Sequence, residues 1–160
     1  MDTKLLWSGL LYAWAALHCV AFAQSPNDAD RVKSFLEDRW TALGQAKSNL
    51  IQMEAGLPGH EADSAAMISA ISDVPEGHIR SLSMLLIIYA AMINDTDRNI
   101  VRKFVVLDCK AYDKQSDISL KSINRNLARL KSPAAISEAT KMRDALQEIK
   151  ERLAGLSFCK

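Results

Sequence analysis

Residues 84–93 read Met-Leu-Leu-Ile-Ile-Tyr-Ala-Ala-Met-Ile, which is the longest informative apolar run after the N-terminal segment. All ten residues are apolar, and the run indicates the fold class. This run is too short to span a bilayer and too rich in alanine and methionine for a strand. A helix that is apolar on every side must be surrounded by other helices. The run therefore predicts a central core helix, which we call segment C.

The composition of the whole chain also favours helices. Hydrophobic residues make up 49% of the sequence but aromatic residues only 6%, and leucine, alanine, isoleucine and methionine dominate over valine, threonine and tyrosine. Four prolines and six glycines are too few for a sandwich or barrel with frequent turns. The sequence therefore predicts an all-α protein.

Five further segments of helical periodicity flank segment C. They are A (28–54), B (62–72), D (97–114), E (117–131) and F (133–154). Pro58 and Pro75 separate the first three segments, and Ser132-Pro133 supplies an N-cap and a first-turn proline for F. The prediction is one domain over residues 24–160, a six-helix bundle (A to F) around segment C.

Residues 1–23 have the pattern of a secretory signal peptide. Lys4 precedes an uncharged apolar run, and alanines occupy the two positions that a signal peptidase reads before Gln24. The alternative is an uncleaved anchor, because residues 5–23 carry no charge and are just long enough to cross a bilayer. The sequence predicts a secreted, extracellular protein, periplasmic if the source is bacterial.

The cysteines fit an exported protein. Cys19 lies inside the predicted signal, which leaves Cys109 and Cys159 in the mature chain. A pair of cysteines in an oxidising compartment predicts a disulfide, and the alternative is two free thiols. A bridge over this span would stabilise the fold by about 4 kcal/mol in the loop-entropy model.

Charge is unevenly distributed although the formal net charge is only +1. Residues 24–78 carry nine acids against four bases, and residues 97–131 carry nine bases against four acids. In segment E the bases Lys121, Arg125 and Arg129 recur every four residues opposite the apolar face, which fits an acidic partner, an anionic polysaccharide or an anionic lipid. The alternative is a solvated helix face. Low net charge and few aromatic residues argue against nucleic acid.

The sequence gives little support for catalysis or for a bound cofactor. The only histidines after the signal are His60 and His78, and a metal site drawn from them with Asp63 and Glu76 lacks any recognised ligand spacing. We predict no metal site, no cofactor and no enzyme activity. Asn94-Asp95-Thr96 is an N-glycosylation sequon, which predicts an exposed turn and, in a eukaryotic host, a glycan on Asn94.

The last two segments resemble a known group of signalling proteins. The run Ile-Asn-Arg-Asn-Leu-Ala-Arg-Leu-Lys at residues 123–131 is similar to the penultimate helix of the class II helical cytokines, the interleukin-ten and interferon-gamma group, and Ala-Ile-Ser-Glu at 135–138 is similar to the start of the last helix in its interleukin members. The resemblance implies a secreted ligand of a cell-surface receptor protein, and it also implies that the protein forms an intertwined homodimer. It implies recognition through the polar outer faces of segments A and F.

On segment A the polar outer face carries Lys33, Glu37 and Asp38, which we take as candidate binding residues together with the bases of segment E. An alternative from another class is a bacterial periplasmic helical bundle, an immunity or inhibitor protein that binds one partner protein. The sequence leaves the receptor, the subgroup and the oligomeric state open.

Overall fold

The computed structural model describes residues 26–160, and in them every regular element is a helix. The elements are α1 (Pro26–Glu54), α2 (Gly59–Ile71), α3 (Asp73–Ala91), α4 (Asp95–Leu127), α5 (Pro133–Ala154) and a 3₁₀ turn (Ser157–Cys159). The all-α prediction and the helical bundle are confirmed. The predicted signal of residues 1–23 lies outside the described residues.

The prediction of six helices is wrong in its count, because segments D and E form the single helix α4. The predicted break near Ser116 does not occur, since the Ser116 side chain is fully buried and its hydroxyl donates to the Asp113 carbonyl one turn earlier. Ser119 is also buried, and its hydroxyl donates to the Ile71 carbonyl at the end of α2. Small polar residues therefore face the core here instead of ending the helix.

Segment C is not an enclosed central helix. It is the second half of α3, which begins at Asp73 and carries Pro75 in its first turn, where a proline costs no helix hydrogen bond. α3 packs against α1 and α4 only along one side. Leu82 and Leu86 are buried there, whereas Met84 is 61% exposed on the opposite side. The apolar run exceeds what the neighbouring helices can cover.

The helix α5 lies antiparallel to both α1 and α4 and packs against them along its length. Met142, Leu146 and Ile149 are completely buried, as the periodicity of segment F predicts. The helix starts where expected, with the Ser132 hydroxyl accepting from the Ala135 amide. The buried Tyr112 hydroxyl of α4 donates to the Leu146 carbonyl at 3.0 Å, and burial raises the pKa of Tyr112.

Ion pairs and polar contacts tie the bundle at its surfaces. Lys150 of α5 pairs with Asp117 of α4, and this hydrogen bond lowers the pKa of Asp117. The Glu61 carboxylate of α2 accepts from the backbone amides of Lys131 and Ser132 at 2.7 and 2.9 Å. These two bonds lower the pKa of Glu61 and hold the connection between α4 and α5.

Cys109 of α4 and Cys159 lie at disulfide distance, with their Cα atoms 5.5 Å apart. The sequence predicts this pairing. Cys109 is buried and Cys159 packs against the core, so the end of the chain is held on the middle of α4. None of the helices in residues 26–160 is both long and apolar enough to cross a membrane.

Candidate functional site

The outer face of α4 collects charged side chains that the sequence divides between two segments. At 33 residues the helix is roughly 50 Å long, and one side of it faces away from the bundle. Lys121 and Arg125 are exposed on this side, and Arg129 is exposed just beyond the end of the helix. The predicted basic ridge therefore exists as an exposed feature of the surface.

The structure extends this ridge toward the start of α4. Lys103, Lys110 and Lys114 are exposed, and at 100° per residue they fall within about 60° of Lys121 and Arg125 around the helix axis. We call these side chains the basic row: Lys103, Lys110, Lys114, Lys121, Arg125 and Arg129. From Lys103 to Arg125 it is roughly 33 Å long.

The basic row forms no ion pair in the part of the chain that the structure describes, and a close acidic neighbour, Asp117, is paired with Lys150 of α5. None of its six side chains makes a salt bridge or a side-chain hydrogen bond there. By contrast, Lys150 and Lys47 on other helices are each paired with two carboxylates. A row of unpaired cations on one rigid helix produces a positive potential that attracts an acidic surface.

Apolar side chains lie beside the basic row. Ile100, Phe104, Leu107 and Ile118 of α4 are 50%, 56%, 63% and 49% exposed and share one side of the helix. The sequence does not reveal these residues as surface, because the spacing of Ile100, Phe104 and Leu107 is the spacing of a core-facing helix side. The bundle instead buries the other side of α4, through Val105, Cys109 and Tyr112.

The candidate binding residues of segment A lie elsewhere. Lys33 Nζ contacts the Glu37 carboxylate at 3.3 Å within α1, and Asp38 is exposed next to them. α1 packs mainly against α5 and α3, while α4 packs against α3, α5 and α2. The structure therefore does not bring the two predicted groups of binding residues together on one helix pair.

The face shared by α1 and α5 carries an aromatic ring with two arginines packed near it. The Phe35 ring lies between two guanidinium groups, with Arg39 at 5.6 Å and Arg152 at 6.0 Å from its centroid. Arg39 also forms a salt bridge of 2.9 Å with Glu148 of α5. These cations are already engaged with the protein, unlike those of the basic row.

The histidine and carboxylate residues considered for a metal are dispersed. His78 Nδ1 lies 2.5 Å from an Asp108 carboxylate oxygen, and Glu76 accepts from Trp40 Nε1 at 3.1 Å. His60 and Asp63 line a separate depression with Arg129. Within residues 26–160 no group of three or more potential ligands is placed to hold a metal ion.

Asn94 lies at the exposed turn between α3 and α4 and caps α4. Its side-chain oxygen accepts from the Asp97 amide at 2.8 Å, and its Nδ2 donates to the Asp97 carboxylate at 2.6 Å. A glycan would replace one hydrogen of Nδ2 and leave the capping oxygen in place. The predicted sequon therefore stands where the fold would accept a modification.

Comparison of the chain with protein-family models, with curated proteins and with solved structures finds no match.

Proposed function

We propose that this protein is a secreted, cytokine-like helical ligand that acts by binding a cell-surface receptor protein, and that the basic row of α4 is its main contact surface. The receptor surface that meets it is acidic. The protein performs no chemistry of its own in this proposal and needs no cofactor.

The observation that carries the proposal is the set of six exposed cations along α4 and the turn after it, none of which forms a salt bridge within residues 26–160. Side-chain charges that serve only the fold are usually paired or scattered, as Lys150 and Arg39 are here. A continuous charged row costs folding free energy through self-repulsion, because like charges lie one or two turns apart. Its use is to steer a partner of opposite charge and to fix the orientation of the encounter.

The resemblance of residues 123–131 to the penultimate helix of class II cytokines supports the same choice of surface. This run includes Arg125 and Arg129, and it forms the last turn of α4 and the connection to α5. The implied homodimer and an anionic polysaccharide ligand remain proposals, and the polysaccharide would bind the same row.

A charge-reversal experiment tests the proposal. The variant Lys121→Glu, Arg125→Glu, Arg129→Glu should keep its helicity but lose binding to cells of its own host, because exposed charges steer association and do not hold the core. The matched control is Lys33→Glu with Glu37→Lys, which preserves the α1 ion pair. Binding is measured with labelled protein at two salt concentrations, and it should weaken as salt rises.

Two results would contradict the proposal. If the folded wild-type protein binds no cell surface and triggers no response in its host, the receptor function is wrong, and a periplasmic inhibitor becomes the leading alternative. If it binds but the α4 variant binds equally well, the basic row is not the contact surface. Loss of binding in the α1 exchange alone would move the surface to α1.

A further inference from the structure

An apolar strip covers the end of the bundle formed by the second half of α3 and the first half of α4. Six of the eleven large apolar side chains that are exposed in the described residues belong to it. The strip consists of Met84, Ile87, Ile88, Ile100, Phe104 and Leu107. Single exposed apolar residues are ordinary, but a concentration on two adjacent helices is typical of a surface that another molecule covers.

A groove runs between α3 and α4 within the strip, and apolar side chains form much of its lining. Phe104 and Leu107 of α4 form one wall, and Ser81 and the partly buried Leu85 of α3 form the other side. Ala111 and Asp108 also line the groove. The small side chains Ser81 and Ala111 leave it open, and the Asp108 carboxylate is already paired with His78 of α3. Two antiparallel helices with a groove between them present the surface into which a third helix packs.

The backbone around the strip is held in place without any partner. Arg98 Nε donates to the Met92 carbonyl at 2.8 Å and closes the turn between the helices. Asn94 caps the start of α4, and the pairing of Cys109 with Cys159 anchors the helix just beyond the strip. A rigid surface loses little conformational entropy on binding.

Charge differs between the two edges of the strip. The α4 edge carries Lys103, Lys110 and Lys114, which belong to the basic row. The α3 edge, residues 81–93, contains no charged residue. An occupant that matches both edges is apolar along its centre and acidic along one side.

We propose that the apolar strip binds an amphipathic α-helix of a partner protein, with the apolar face of that helix in the groove and its acidic edge against Lys103, Lys110 and Lys114. The proposal rests on the proposed function in that it names the kind of element a binding partner presents to α4. Residues spaced at i, i+4 and i+7 on the partner helix would contact Phe104 and Leu107.

Other occupants fit less well. A second copy of this chain offers no acidic edge along its own strip, so the lysines would meet lysines or the uncharged edge of α3. A bilayer is disfavoured by the turn, because Asp95 is 94% exposed beside Ile93, which is 95% exposed, and insertion would remove the carboxylate from water.

The test uses two synthetic helical peptides with the same leucine face, one with glutamates and one with lysines along its polar edges. The glutamate peptide should bind the purified protein more tightly, by on the order of tenfold, measured by fluorescence anisotropy. The variants Phe104→Glu and Met84→Glu should each weaken this binding by on the order of tenfold. Ile51→Glu changes a residue of similar exposure on α1 and serves as the matched control.

Reversing the charge of the three lysines tests the electrostatic part of the inference most directly. Lys103→Glu, Lys110→Glu, Lys114→Glu should reverse the preference, so that the lysine peptide binds more tightly than the glutamate peptide. Helicity measured by circular dichroism shows that each variant is folded. Two independent strip variants, one on each helix, keep the test valid if one of them misfolds.

Several outcomes would overturn the inference. They are failure of the glutamate peptide to bind, binding that Phe104→Glu and Met84→Glu leave unchanged, and concentration-dependent self-association that these variants abolish while the peptide does not bind. Binding to phosphatidylglycerol vesicles without peptide binding would assign the strip to lipid instead. Peptide binding without cell binding would reject the receptor function and leave this inference standing.

Discussion

The two halves of α4 differ in which side chains break the usual rule of apolar residues inside and polar residues outside. In the carboxyl half, Ser116, Ser119 and Asn126 are buried, whereas in the amino half Phe104 and Leu107 are exposed. The reason lies in the neighbours, because α2, α3 and α5 together surround only part of the helix. Side-chain hydrophobicity alone therefore does not tell which half of α4 is core. The exposed apolar side chains of the amino half belong to the surface for which we propose a partner.

The largest effect expected from this difference comes from placing a charge either in the buried carboxyl half of α4 or on the exposed apolar strip. Ile123→Asp should cost about 4 kcal/mol or more, because Ile123 is fully buried and an unpaired carboxylate would lose its hydration. Ile88→Asp on the strip should cost no more than about 1 kcal/mol, because Ile88 is 39% exposed and the charge can reach water. Urea unfolding followed by circular dichroism measures both.

These two variants test whether the apolar strip is surface and not core. If the two substitutions destabilise the protein equally, the second half of α3 is core after all, as the apolar run of segment C predicts. Ile88→Val controls for loss of packing without added charge.

A smaller effect is expected at the junction between the halves, where Cys109 joins the end of the chain. Cys159→Ser should lower the free energy of unfolding by about 2–4 kcal/mol, because the bridge restricts the unfolded chain. Amide hydrogen exchange should rise more over residues 100–108 than over 116–127, since the amino half has fewer covering helices. Equal protection in both stretches, or no change in stability, would contradict the bridge's role. Peptide mapping without reductant checks the pairing directly.

The smallest effect concerns the cap at the start of the exposed half. Asn94→Gln should cost about 1 kcal/mol, because the longer side chain no longer accepts from the Asp97 amide. Thr96→Ala removes the sequon but keeps the cap, so it should leave stability nearly unchanged. If the host glycosylates Asn94, both variants lose the added mass by intact-mass analysis. A mass difference between the wild type and Thr96→Ala that equals the threonine-to-alanine change alone would show that the sequon is unused.

Sequence reasoning worked where a local signal and burial agree. Ser132 and Pro133 mark the start of α5, and Met142 and Leu146 follow a strict helical period, so both the boundary and the core face could be predicted. The pairing of Cys109 with Cys159 was predictable because these are the only two cysteines in residues 24–160. These features depend on short-range chemistry that one sequence carries in full.

The continuity of α4 and the full length of the basic row depend on which helices pack against each other, and a single sequence does not give this packing. The buried serines of α4 resemble a break because serine competes with helix hydrogen bonds in isolation, yet here their hydroxyls bond within α4 and to α2. The sequence pattern assigns the bases of α4 to two separate segments, so it predicts only Lys121, Arg125 and Arg129 as one ridge. The unbroken helix adds Lys103, Lys110 and Lys114.

The contact of Glu61 with the turn between α4 and α5 has a consequence for the order of folding. The amides of Lys131 and Ser132 find their acceptor 70 and 71 residues away in the chain, on α2. A contact of such long sequence separation carries a large loop-closure entropy and forms after local helices do. The turn therefore has its two backbone amides satisfied only when α2 lies against it, so loss of the Glu61 carboxylate would leave both amides without their acceptor.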